Sequence, residues 1–125
     1  MGAVFAVAVG GGLGSLARYY IAGLVQPAGS LFNWGIFFVN ISGGFVMGLI
    51  VEGSALKFNL SPELRSFLTV GILGGYTTFS TFSLDGALLL QRGEYVQAAG
   101  YVIGSVVLSI LALFAGLWLV RTIYA

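Results

Sequence analysis

Four long apolar runs, separated only by short polar connections, take up nearly all of this 125-residue chain. A helix that crosses a bilayer needs about 20 mainly apolar residues. Four such runs fit, and five do not. The first extends from Ala3 to about Val25 and ends at the turn-forming sequence Gln26-Pro27-Ala28-Gly29-Ser30. The second covers about Leu31 to Val51, closes at Glu52-Gly53-Ser54, and is followed by a short loop over residues 55–60. Ser61-Pro62-Glu63 then reads as a helix start, with Ser61 as N-cap, Pro62 in the first turn and Glu63 at the positive end. The third run continues to about Leu90, Gln91 to Glu94 connect, and the fourth occupies Tyr95 to about Ile123. The fold expected is an all-α integral membrane domain over residues 1–125. The opening residues read as the first span and not as a removed signal peptide, because no basic segment and no cleavage site flank them.

Composition removes several functions. Hydrophobic residues make up 58% and charged residues 7%, against roughly 25% charged in an ordinary soluble domain. With a net charge of +1 and no basic cluster, nucleic acid is not an expected partner. The chain has no Cys and no His, so it lacks the commonest nucleophile–base pairs and metal ligands. An enzyme is not expected. Four spans place both ends on one side, with Lys57, Arg65 and Arg121; Arg92 and the nearer Arg18 belong to the other. This near-balance erases the usual orientation signal. It is either the noise of a small count or the mark of a chain that inserts both ways and pairs antiparallel.

The remaining polar residues fall on particular helix faces. Gly10, Gly14 and Arg18 share one line on the first span, and Asn40, Gly44 and Gly48 share one on the second. Small residues permit close helix contact, whereas an arginine or asparagine at that depth must find a partner, protein or water. The fourth span carries a small-residue stripe, Gly100, Gly104, Leu108, Ala112 and Gly116, beside a hydroxyl stripe, Tyr101, Ser105 and Ser109. The hydroxyls read either as interhelical glue or as the wall of a polar path.

The least ordinary segment is Gly74-Gly75-Tyr76-Thr77-Thr78-Phe79-Ser80-Thr81-Phe82-Ser83. Adjacent glycines weaken a helix, and hydroxyls can satisfy freed backbone groups. A break near Gly74–Thr78 would expose carbonyls from one half-helix and N–H groups from the next, the first suiting a cation and the second an anion. Phe79 and Phe82 lie at i, i+3 and can face one space, where the positive edges of their rings favour an anion. A glycine-kinked packing helix is the plainer alternative.

This segment resembles the GG-x-TTFSTFS signature of the Fluc (CrcB-type) fluoride channels. The resemblance runs through the whole chain: the glycine-rich first span reaching Arg18, the segment Val39-Asn40-Ile41-Ser42-Gly43, and the four-span layout. It implies a passive fluoride channel that relieves fluoride toxicity in a prokaryotic plasma or inner membrane. It further implies an antiparallel dual-topology homodimer with two pores along its interface, and a structural Na+ at the centre held by main-chain carbonyls matching Gly74 and Thr77. Phe79, Phe82, Asn40, Ser80, Thr81, Tyr101, Ser105 and Ser109 match the family's pore, and Arg18 its vestibule. Three positions depart from the pattern: Leu113 where the polar track would continue, Ile36 in place of a vestibule threonine, and Asp85 where the family often has Glu. A proton-coupled exporter of the small multidrug type is the rival, but it needs an embedded carboxylate early in the chain, and the first span has none. A pure assembly subunit without transport is a further alternative.

Overall fold

The computed structural model describes residues 1–125. Helices α1 (Gly2–Val25) and α2 (Trp34–Leu56) are followed by a composite third span, Pro62–Gln91, and by α6 (Tyr95–Tyr124). The third span consists of α3 (Pro62–Ser66), a π-helical stretch (Phe67–Leu73), α4 (Gly74–Tyr76) and α5 (Phe79–Gln91). All four spans are long and apolar enough to cross a membrane, and the chain is a multi-pass membrane protein. Large apolar side chains such as Phe5, Leu16, Val96, Ile103 and Trp118 point outward, as a lipid-facing surface requires.

The boundaries follow local chemistry. Ser61 caps α3 as expected, its hydroxyl accepting from the Leu64 N–H at 3.2 Å. The second helix departs from the expected start at Leu31. Asn33 caps α2, its Oδ1 accepting from the Ile36 N–H at 3.0 Å, so Leu31 and Phe32 belong to the connection. That connection is tied down by Gln26, whose Nε2 donates to the carbonyls of Ser30 and Phe32 and whose Oε1 accepts from Gly35 N. Helix α2 also runs past Glu52 to Leu56, and Glu52 pairs with Arg121 at 3.0 Å, pinning the ends of α2 and α6 together.

Glycine sets the interhelical distances. A Cβ at Gly10 would lie 2.7 Å from the Phe67 carbonyl oxygen, and one at Gly14 would fall on that of Ile72. Helix α1 therefore lies directly against the backbone of the π-helical stretch. Gly75 meets the Gly11 carbonyl in the same way. Gly74 and Gly75 both stay helical, and at Gly75 the missing side chain serves close approach, not breakage. The break is at Thr77 and Thr78, which are extended (φ −91°, ψ 157° and φ −149°, ψ 122°). Helices α2 and α6 pack through Gly44 on Ser109, Gly48 on Leu113 and Gly116 on Phe45. The small-residue stripe read on α6 is thus only partly a seam, since Gly100 has open space around it and Leu108 faces outward. The hydroxyl stripe is the one turned inward, with Tyr101 and Ser105 buried.

The glycine contacts give a direct test. Gly14→Ala pushes a methyl into backbone and is expected to destabilise the fold by about 1–3 kcal/mol. Gly12→Ala, where nothing lies within 4 Å, is expected to leave stability unchanged or raise it. Thermal unfolding of the two variants in detergent checks the contrast.

Candidate ion pathway

The site is built around the break in the third span. In an unbroken helix the Thr78 N–H would bond the Gly74 carbonyl, and the Thr81 N–H the Thr77 carbonyl. Here Thr78 N donates to Asn40 Oδ1 at 2.9 Å, and Thr81 N donates to Thr78 Oγ1 at 3.2 Å. Both diversions free a carbonyl, at Gly74 and at Thr77, from its helical partner. Asn40 closes the bridge from α2 by donating Nδ2–H to the Thr78 carbonyl at 3.2 Å. Because a backbone N–H can only donate, the orientation of this amide is determined, and one Nδ2 hydrogen remains beyond the bridge. Gly43, one turn on, leaves room for the Thr77 methyl, and Ser42 Oγ lies 2.9 Å from the buried Tyr76 hydroxyl. Three positions of α2 thus hold the end of α4 and the two extended residues.

Beside the break is an open groove of about 370 Å³. Asn40, Thr77, Thr78, Phe79, Phe82, Ser105 and Ser109 line it, with Met47, Leu73 and Leu113 among the apolar remainder. The Phe79 and Phe82 ring centres are 5.5 Å apart. Phe79 is 78% exposed, and Phe82 is buried behind it. The two hydroxyls reached from α6 are not used as helix–helix glue. Ser54, Ser83, Thr69 and Thr122 each donate to the carbonyl four residues back, as hydroxyls in helices commonly do. Ser105 Oγ, by contrast, is buried and has no partner at all. A buried hydroxyl without a partner is costly unless something else comes to it. Helix α5 begins at the same place, so the N–H groups of Phe79 and Ser80 lie in a first turn that has no intrahelical acceptors.

A second cavity of about 470 Å³ lies among α1, the start of α2 and Thr81 of α5. Arg18 and Thr81 line it, together with Ser15, Gln26, Asn33 and Ile36. The only ion pair in the chain is Arg121 with Glu52, so the Arg18 guanidinium meets this cavity without a carboxylate beside it. The residues picked out from sequence therefore divide. Asn40, Phe79, Phe82, Ser105, Ser109 and Thr77 share the groove; Arg18 and Thr81 share the cavity. Ser80 is exposed and outside both, with its hydroxyl 3.3 Å from Thr78 Oγ1. Gly74 is exposed and outside both, and Tyr101 is wholly buried behind Phe82. Met47, Gln26, Asn33 and Ser15 also line these spaces, and the sequence pattern does not mark them as site residues. Gln26 and Asn33 lay in or near a turn composition, and Met47 carries no polar signal.

A family model described as CrcB-like protein, Camphor Resistance (CrcB), matches residues 5–117. The chain belongs to the CrcB-like family. Its relatives extend over almost the full length. It is 50% identical over 121 residues to the "Fluoride-specific ion channel FluC 1" of Nitrobacter hamburgensis, covering 96% of each chain. It is 48% identical over 122 residues to the "Fluoride-specific ion channel FluC" of Rhizobium meliloti, covering 97% of this chain and 98% of that one. The protein of the same name from Rhodopseudomonas palustris is 52% identical over 118 residues, covering 94% and 95%. Membership of the CrcB-like family agrees with the signature at Gly74–Ser83, and these relatives are named as channels, not enzymes.

The Asn40 bridge predicts a stability effect separate from any transport. Asn40→Ala leaves the Thr78 N–H and carbonyl without partners inside the chain and is expected to cost about 1–3 kcal/mol. A lower unfolding temperature in detergent, with the secondary structure of the remaining helices retained, checks it.

Proposed function

We propose that this chain is a subunit of a fluoride channel that lets fluoride leave the cell passively through a prokaryotic plasma or inner membrane and so relieves its toxicity. The observation that carries the reading is the groove. One asparagine, two phenyl rings and an unpartnered buried hydroxyl converge there, in a chain whose relatives are named fluoride-specific channels. Fluoride is small and holds water strongly, so a path for it must offer donors in place of hydration. The Asn40 Nδ2–H, the Ser105 and Ser109 hydroxyls and the positive edges of Phe79 and Phe82 are such donors. Arg18 in its cavity raises the local anion concentration before entry. Thr81 accompanies Arg18 there, and Ser80 lies at the exposed side of the same turn.

The functional unit in this reading is an antiparallel homodimer of dual topology with two pores. The groove is open along one flank, with Phe79 exposed; an ion path cannot face acyl chains, so a second copy must cover it. The nearly even charge distribution suits insertion in both directions. A two-fold axis in the membrane plane would bring together the Gly74 and Thr77 carbonyls of the two copies. These four oxygens, freed from their helical partners by the break, are the donor type a hard cation takes. A structural Na+ fits them and would supply fixed positive charge at the centre of the dimer.

Fluoride and chloride efflux from liposomes holding the purified protein tests the reading. Fluoride efflux without a proton gradient and with little chloride efflux is expected. Phe82→Ile and Asn40→Asp are each expected to lower the fluoride rate at least about a hundredfold, the scale of losing a group that replaces ion hydration. Crosslinking should still capture the dimer in both. Flux that requires a proton gradient would instead indicate an exporter, and a dimer with no flux would indicate an assembly subunit.

A further inference from the structure

Tyr101 was expected in the pore as a hydroxyl donor, yet its surroundings give that hydroxyl other work. Tyr101 Oη donates to Asp85 Oδ2 at 2.9 Å, and Asn33 Nδ2 donates to the same oxygen, also at 2.9 Å. Asn33 is itself oriented, because its Oδ1 accepts from the Ile36 N–H at the start of α2. A phenol has one hydrogen to donate, and Asp85 takes it. Gly86, where a Cβ would stand 3.1 Å from a Val102 methyl, lets α5 and α6 come close enough for this bond. The ring of Tyr101 is held as firmly as its hydroxyl. Phe32 meets it edge-on at 5.1 Å, and Phe82 stacks on it at 5.6 Å and 27°. No part of Tyr101 is exposed, and it does not line the groove.

We propose that Asn33 and Asp85 are positioning residues that lock Tyr101, and that Tyr101 acts on the ion path through its ring, as the backing that sets the position of Phe82. The proposal rests on the channel reading above. Asp85 then contributes an acceptor oxygen and not a charge, and Asn33 links the end of α2 to the back of the groove. The line runs from the Ile36 N–H through Asn33, Asp85 and Tyr101 to the Phe82 ring, with a hydrogen bond or a ring stack at each step.

Fluoride efflux from liposomes, measured with dimer content by crosslinking, tests it. Asp85→Asn keeps an oxygen where both donors point and is expected to hold efflux within about threefold of the unmodified protein. Asp85→Leu orphans the Tyr101 hydroxyl and is expected to lower efflux about tenfold, with the dimer retained. Asn33→Ser keeps a cap for α2 but is too short to reach Asp85; it is expected to lower efflux in the same direction, and it replaces Asp85→Leu should that variant not assemble. Tyr101→Phe combined with either loss is expected to be no worse than that loss alone, since all act on one chain of contacts. Equal damage from Asp85→Asn and Asp85→Leu would overturn the proposal, because charge would then be what matters. Losses that multiply when Tyr101→Phe is added would also overturn it, because the hydroxyl would then act on the ion independently. An unmodified protein that carries no fluoride at all defeats the channel reading instead, and is seen before any variant is made.

Discussion

A single asparagine side chain makes the interrupted third span possible. Two residues of extended backbone at membrane depth leave N–H and C=O groups with no water to satisfy them. Asn40 meets both from the neighbouring helix, accepting from the Thr78 N–H and donating to its carbonyl. Thr78 then caps the next helix with its own hydroxyl. Much that gives the site its chemistry follows from this exchange: the freed carbonyls of Gly74 and Thr77, the new helix N-terminus at Phe79, and the placement of both phenyl rings beside α6.

The glycines serve a different purpose. Lipid offers helices no hydrophobic reason to associate, so packing must come from close backbone contact. Gly10, Gly14 and Gly75 bring α1 against the first half of the third span, and Gly44, Gly48 and Gly116 join α2 to α6. These two tight pairs leave the groove between them at the break. The π-helical turn at Phe67–Leu73 lies where α1 presses closest, and widened turns of this kind often accompany functional sites.

Two kinds of polar residue can be told apart by how they are satisfied. Tyr101, Asp85 and Asn33 are partnered among themselves. Ser105 is buried and unpartnered. Sequence periodicity places Tyr101 and Ser105 on the same stripe and cannot separate these two situations. The distinction depends on where Asp85, a residue of another helix, directs its carboxylate.

The four spans, the capped start at Ser61 and the approximate location of the break are legible in the order of residues alone. Each is a local or one-dimensional property: apolar length against bilayer thickness, capping chemistry, and a cluster of glycines and hydroxyls. The family resemblance grouped Asn40, Phe79, Phe82, Ser80, Thr81, Tyr101, Ser105, Ser109 and Arg18 together, and the structure distributes them between a groove, a separate cavity, the protein interior and, for Ser80, the exposed surface. What the sequence could not provide was the cause of the break. Gly74 and Gly75 looked responsible, yet they remain helical and the chain opens at Thr77 and Thr78, because the compensating partner lies on α2, 38 residues from Thr78. The opening at Thr77 and Thr78, the cap of α2 at Asn33 and the burial of Tyr101 emerge only when the helices pack. Each depends on hydrogen bonds or ring contacts between side chains whose directions are set by helix packing.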